Sequence, residues 1–214
     1  QLSVMMFLQY FFWGVWYVSA GPYLTNTVKF SGNEVGTTYA MAPLAAIISP
    51  FIVGMIADRY FPTQIVFGVL HIVGGIFLFI ASKATSFGAF YALLICHLLC
   101  YMPTLALANS LLFRNSDNVE RDAPPIRTLG TIGWIAAGLV IGFMGWSASL
   151  LILKVAAVSS ALMGLYCFTL PRTPPPAKNK PVDIRTIFML DAIKLLTRIP
   201  FLVFIIFILL FIIK

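Results

Sequence analysis

Uninterrupted apolar runs of about 20 residues, the length an α-helix needs to cross a hydrocarbon core about 30 Å thick, recur along most of this chain. Inside lipid a backbone must satisfy its own N–H and C=O groups, so segments of this length are read as spanning helices. Only 10% of the 214 residues are charged and 60% are hydrophobic, too few polar side chains to cover a water-facing surface, which excludes a soluble globular protein.

Six spans follow from the runs: 4–24, 35–57, 63–82, 87–113, one opening after Pro124-Pro125 and ending near Trp146, and 148–170. A loop from 171 to 200 comes next, starting Pro171-Arg172-Thr173-Pro174-Pro175-Pro176. Within it Ile184, Ile187, Phe188, Ala192, Leu195 and Leu196 sit at helical spacing among cations, the pattern of an amphipathic helix lying on a membrane surface. The closing apolar run, 201–213, reaches only about 20 Å as a helix, short of a full crossing. The expected architecture is therefore all-α and integral to the membrane. A six-helix bundle covers 1–170, a basic cytoplasmic loop 171–199, and the start of a seventh span 200–214, as in the front part of a longer protein. The alternative is a short protein ending in a half-buried tail.

Cations set the orientation. With the N-terminus inside, the inner loops hold ten of them: Arg59, Arg114, Arg121, Arg127, Arg172, Lys178, Lys180, Arg185, Lys194 and Arg198; the outer loops hold two, Lys29 and Lys83. The same asymmetry accounts for the net charge of +7, so no nucleic-acid partner is needed. Cys96, Cys100 and Cys167 all fall in apolar runs without metal-ligand spacing and read as buried small residues. No nucleophile–base pair, zinc spacing or phosphate loop suggests an enzyme.

Polar groups inside spans are costly and point to function by default. Gln9, Trp13 and Trp16 share a face of the first span, where an amide beside two indoles could hold a planar polar ligand. Packed or lipid-facing indoles, with Gln9 bonded to a neighbouring helix, are the alternative. The fourth span carries His97, Tyr101 and Thr104 at the same spacing, Asn109 further on, and Pro103 mid-helix, where a freed carbonyl suits a cavity wall. For His97 an interhelical hydrogen bond competes with that role. In the fifth span Arg127, Thr131 and Trp134 place a permanent cation, a hydroxyl and a ring in one ligand-shaped stripe, unless Arg127 only snorkels to the headgroups. His71, before Gly74-Gly75, reads as a packing residue, and Lys154 as a snorkelling one.

The turn after the second span, Gly54-Met55-Ile56-Ala57-Asp58-Arg59, resembles the G-x-x-x-D-R gating loop of the major facilitator superfamily, without the Gly-Arg-Lys or Arg-Arg that usually continues it. Here Gly54 would allow close helix contact, Asp58 would cap the third span or pair across the bundle, and Arg59 would face the cytoplasm. Three further segments narrow the likeness. Phe7-Leu8-Gln9 with Trp13-Gly14-Val15-Trp16, Tyr101-Met102-Pro103-Thr104-Leu105, and Pro124-Pro125-Ile126-Arg127 with Gly130-Thr131-Ile132-Gly133 are similar to stretches of bacterial nucleoside:proton symporters.

The resemblance implies the N-terminal six-helix half of a twelve-span carrier that works by alternating access in the bacterial inner membrane. It implies nucleoside and protons as substrates, the proton gradient in place of any cofactor, and a C-terminal half that holds the proton-coupling acids. Arg127, Thr131 and Trp134 become nucleoside contacts, and Gln9, Trp13 and Thr104 complete the wall. One permease of the family carries Phe at the position of Trp134, which keeps a stacking ring but changes the pocket's size. Another polar solute such as a sugar, or a sensor that binds without transporting, are the rival functions.

Overall fold

The computed structural model describes residues 1–178 and 197–212. The amphipathic helix expected at 184–196 lies outside the described residues. The chain divides into two units, Gln1–Lys178 and Asn179–Lys214.

In the first unit the helices are α1 (Leu2–Tyr17), α2 (Ala20–Pro22) running into a π-helical turn (Tyr23–Thr27), α3 (Gly32–Arg59), α4 (Thr63–Ala81), α5 (Phe87–Arg114), α6 (Val119–Phe143) and α7 (Leu151–Cys167). Five stretches, Leu2–Thr27 and then α3 to α6, are long and apolar enough to cross a membrane; α7 is a shorter apolar helix. In the second unit α8 (Ile199–Ile212) is a wholly apolar helix of 14 residues.

The helix ends follow local chemistry, and several differ from the sequence expectation. Span one is interrupted at Val18-Ser19 ahead of Pro22, which has no N–H to give. The Tyr39 hydroxyl repairs the break, donating to the Tyr17 carbonyl (2.9 Å) and accepting from the Gly21 N–H (2.8 Å). A capping box between Ser31 and Glu34 starts α3. The fifth span does not wait for Pro124-Pro125: the Asn118 side chain caps α6 by accepting from Arg121 N (3.1 Å), and both prolines lie inside the helix. Carbonyls that lose partners to the prolines belong to exposed residues Glu120 and Arg121, where solvent can take the bond. At the other end Gly145 (φ +66°) closes α6 three residues earlier than expected, with Trp146 N–H bonded to Ile141 O and Gly145 N–H to Gly142 O. That is a Schellman close, which needs a left-handed residue at this position.

Small residues decide which helices meet. A Cβ on Gly130 would strike Tyr10, one on Gly133 would fall on the Phe7 carbonyl oxygen, and one on Gly14 would come 2.9 Å from Ala137 Cβ. Contacts that climb together along both chains make α1 and α6 a close parallel pair. Gly68 against Gly164, and Gly75 against Ala157 and Ser160, make α4 and α7 a close antiparallel pair. Exchanging α1, α3, α4 for α5, α6, α7 maps the α1–α6 contact onto α3–α5, the α4–α5 contact onto α1–α7, and α4–α7 onto itself. The two sets of three helices thus make equivalent contacts, as internal repeats do in carriers.

Candidate functional site

Two apolar clusters fill the bundle, one around Phe12, Leu94, Leu98 and Ala156, the other around Met5, Phe67, Leu111 and Met163. On each of four helices a buried polar residue sits between the two clusters: Gln9 on α1, His71 on α4, Thr104 on α5 and Ser160 on α7. They are bonded to one another. Gln9 Nε2 donates to Thr104 Oγ1 (2.8 Å), and His71 Nε2 lies 2.7 Å from Gln9 Oε1. Thr104 passes its own proton to the Tyr101 carbonyl (2.5 Å), and Ser160 donates to the His71 carbonyl (2.7 Å). The Tyr101 hydroxyl donates to the backbone carbonyl of Gln9 (3.1 Å).

This corrects the place given to Gln9 and Thr104. Both are fully buried and their polar atoms serve each other and His71, because an amide and a hydroxyl in a dry bundle interior gain most by pairing across helices. They form no open wall. Trp16 is likewise buried and meets His97 edge-on at 5.5 Å, so it does not share an open face with Trp13. His97 Nδ1 donates to the Gly74 carbonyl (2.9 Å), a contact that glycine's bare backbone allows. Pro103 is buried inside α5, and Asn109 Nδ2 returns to Leu105 O (2.8 Å).

The fifth-span stripe lies differently. Gly130, Gly133 and Ala137 turn one side of α6 onto α1, which leaves Arg127 and Thr131 exposed and Trp134 half-buried at the edge of the contact. The Arg127 guanidinium stands 5.9 Å from the Phe113 ring centre. Trp134 meets Trp13 at 5.1 Å between centroids with planes at 78°. Trp13 also touches Tyr17 (5.2 Å) and Tyr101 (5.8 Å). The result is an aromatic corner beside a hydroxyl and a fixed cation on an open helix face. Such a corner can stack a flat ring and bond its polar edge.

The G-x-x-x-D-R turn between α3 and α4 departs from two expectations. A Cβ on Gly54 would meet nothing within 4 Å, so Gly54 makes no close helix contact here. Pro62 occupies the N-cap of α4 without a side-chain bond, so Asp58 does not cap it. Asp58 is exposed, within electrostatic reach of Arg114 and Arg59. Its carbonyl instead accepts from Ala177 N (2.8 Å), part of a strap over the helix ends. In that strap Thr63 N donates to Thr173 O (2.9 Å), Thr173 N to Gln64 Oε1 (2.9 Å), Asn115 Nδ2 to Thr173 Oγ1 (2.8 Å) and Arg114 Nη2 to Pro174 O (2.5 Å).

His71, expected as a packing residue, and Ser160, for which the sequence suggested no role, both belong to this bonded layer. The signal available was one polar residue per span at matching depth in four spans.

An all-helical bundle with five membrane-length apolar stretches, two sets of three helices in equivalent contact and a polar-aromatic stripe on one open face has the build of a polytopic membrane carrier. The chain belongs to the nucleoside H+ symporter family, whose model matches residues 1–214. YegT of Escherichia coli (strain K12) is 44% identical over 95% of this chain and 49% of its own length. Xanthosine permease from the same organism is 35% identical over 90% of this chain and 47% of its own. A crystal structure of the nucleoside transporter NupG (D323A mutant) superposes with a TM-score of 0.85 at 33% identity, covering 97% of this chain and 52% of that one. The chain thus spans about half the length of the relatives it matches, which are transporters rather than enzymes.

Proposed function

We propose that this chain is the N-terminal half of a proton-coupled nucleoside carrier of the bacterial inner membrane, working by alternating access with a C-terminal half of the same polypeptide. In this function α7 is the sixth span, α8 opens the seventh, and the N-terminus is cytoplasmic, as the ten-to-two cation asymmetry favours. The observation that carries it is the open corner formed by Arg127, Thr131, Trp134 and Trp13 on the α1–α6 edge. Trp134 and Trp13 stack or flank the base, Thr131 bonds the ribose or base, and Arg127 supplies paired donors to a carbonyl or hydroxyl oxygen. Gln9 and Thr104 contribute from behind, by holding α1 against α5. Gly54, Asp58 and Arg59 sit where the moving inner ends of the bundle meet the strap. Protons supply the drive, and the acids that bind them belong to the C-terminal half.

The test is uptake of labelled uridine and adenosine by cells making the full-length protein, with and without a protonophore. Saturable uptake that collapses with the proton gradient, and that nucleosides but not sugars inhibit, is the expected result. Inhibition by sugars alone would overturn it, and so would ligand binding without counterflow in proteoliposomes.

A further inference from the structure

The buried polar layer has a direction. Thr104 gives its proton to the Tyr101 carbonyl, so its oxygen is left to accept from Gln9 Nε2, which turns Gln9 Oε1 towards His71. An amide oxygen only accepts, so His71 carries its proton on Nε2 and donates. On the other side Ser160 gives its proton to the His71 backbone carbonyl, so its oxygen, 3.2 Å from the unprotonated Nδ1, packs against the ring without a bond to it, and Gly75 permits the close α4–α7 approach that brings it there. The imidazole is boxed by Phe67 (5.0 Å), Phe12 (5.8 Å) and Tyr101 (6.0 Å) and is 1% exposed, so no water can stand in for a lost partner.

Trp13 lies one helical turn beyond Gln9. On its α6 side α1 is held by the bare contacts at Gly130 and Gly133 and by the Trp13–Trp134 ring contact, none of which is a hydrogen bond. On the other side its directional bonds at this level are the three made by Gln9: side chain to Thr104, side chain from His71, and carbonyl from the Tyr101 hydroxyl. We propose that His71 is a positioning residue for substrate binding, fixing through Gln9 the rotation of α1 and with it the angle at which Trp13 meets Trp134. This rests on the function proposed above, in which that aromatic corner holds the nucleoside.

The experiment measures initial rates of uridine uptake by the full-length protein, with membrane abundance quantified, and equilibrium uridine binding by quenching of tryptophan fluorescence in purified protein. His71→Leu removes the donor to Gln9 at similar volume. His71→Gln returns an N–H in its place. Uridine KM and the quench midpoint should rise about tenfold in His71→Leu, the effect of one buried hydrogen bond. Vmax per molecule should stay near wild type, and His71→Gln should recover most of the loss. Gln9→Met should behave like His71→Leu, and the double variant should be no worse than either alone, because both cut one chain of bonds. Should His71→Leu fail to accumulate, Thr104→Val, which removes the acceptor of Gln9 at constant shape, carries the same expectation. Unchanged KM with lower abundance, or multiplying effects in the double variant, would overturn the positioning role. No uptake of uridine or adenosine by the wild-type protein would instead refute the function itself.

Discussion

Trp13 and Trp134 meet edge to face, 5.1 Å between centroids, across the tight α1–α6 contact. The positive edge of one ring against the negative face of the other fixes both without a hydrogen bond. It also leaves Trp134 half-buried, supported on one side and open on the other. A ring held like that is a stacking surface that needs no reordering when a base arrives.

Replacing Trp134 by Ala should therefore raise uridine KM by at least about fivefold, since stacking on a base contributes about 1–3 kcal/mol. Trp134→Phe keeps a ring and should stay much closer to wild type, with a changed preference between purine and pyrimidine nucleosides. Initial-rate uptake with a panel of nucleosides reads both. Equal KM in the Ala variant would remove Trp134 from the site.

The support beneath that ring depends on glycine. At Gly133 a methyl group would fall on the Phe7 carbonyl oxygen, whereas at Gly138 it would meet nothing within 4 Å. Gly133→Ala should cost about 1–3 kcal/mol through separation of α1 and α6, seen as a lower melting temperature in detergent and less protein in the membrane. Gly138→Ala, on the same helix, should leave both unchanged within about 0.5 kcal/mol. Equal behaviour of the two variants would contradict the packing account.

The strap over the helix ends makes its own prediction. Thr173 is 2% exposed and its N–H donates to Gln64 Oε1, so Gln64→Leu leaves a buried donor without an acceptor. That should cost about 1–3 kcal/mol locally. The neighbouring Arg172 side chain is exposed, so loosening should appear as faster tryptic cleavage after Arg172 in the full-length protein. A cleavage rate equal to wild type would show that the bond does not hold the strap.

Much of this was legible in the residues. Apolar runs of membrane length fixed the helices, since spanning segments have few options, and i, i+4, i+7 spacing put Arg127, Thr131 and Trp134 on one face. Spacing cannot say what a face meets. Gln9 and Thr104 shared faces with Trp13 and Tyr101 in the sequence, yet the fold turns them inward onto His71, a residue 62 positions from Gln9. Pro124-Pro125 looked like a helix start because proline suits the first turn, but Asn118 caps earlier and the exposed carbonyls before the prolines tolerate the lost bonds. Gly54 looked like a packing glycine, and only the placement of its neighbours shows open space beside it.

The central claim is that the open stripe of α6 binds the transported nucleoside, and Arg127 tests it most directly. Arg127 is exposed and lies over the Phe113 ring, itself exposed, so its removal should not disturb the fold. In the full-length protein Arg127→Ala should reduce proton-driven uridine uptake to background while membrane abundance matches wild type. Uptake near the wild-type rate at equal abundance would contradict the account.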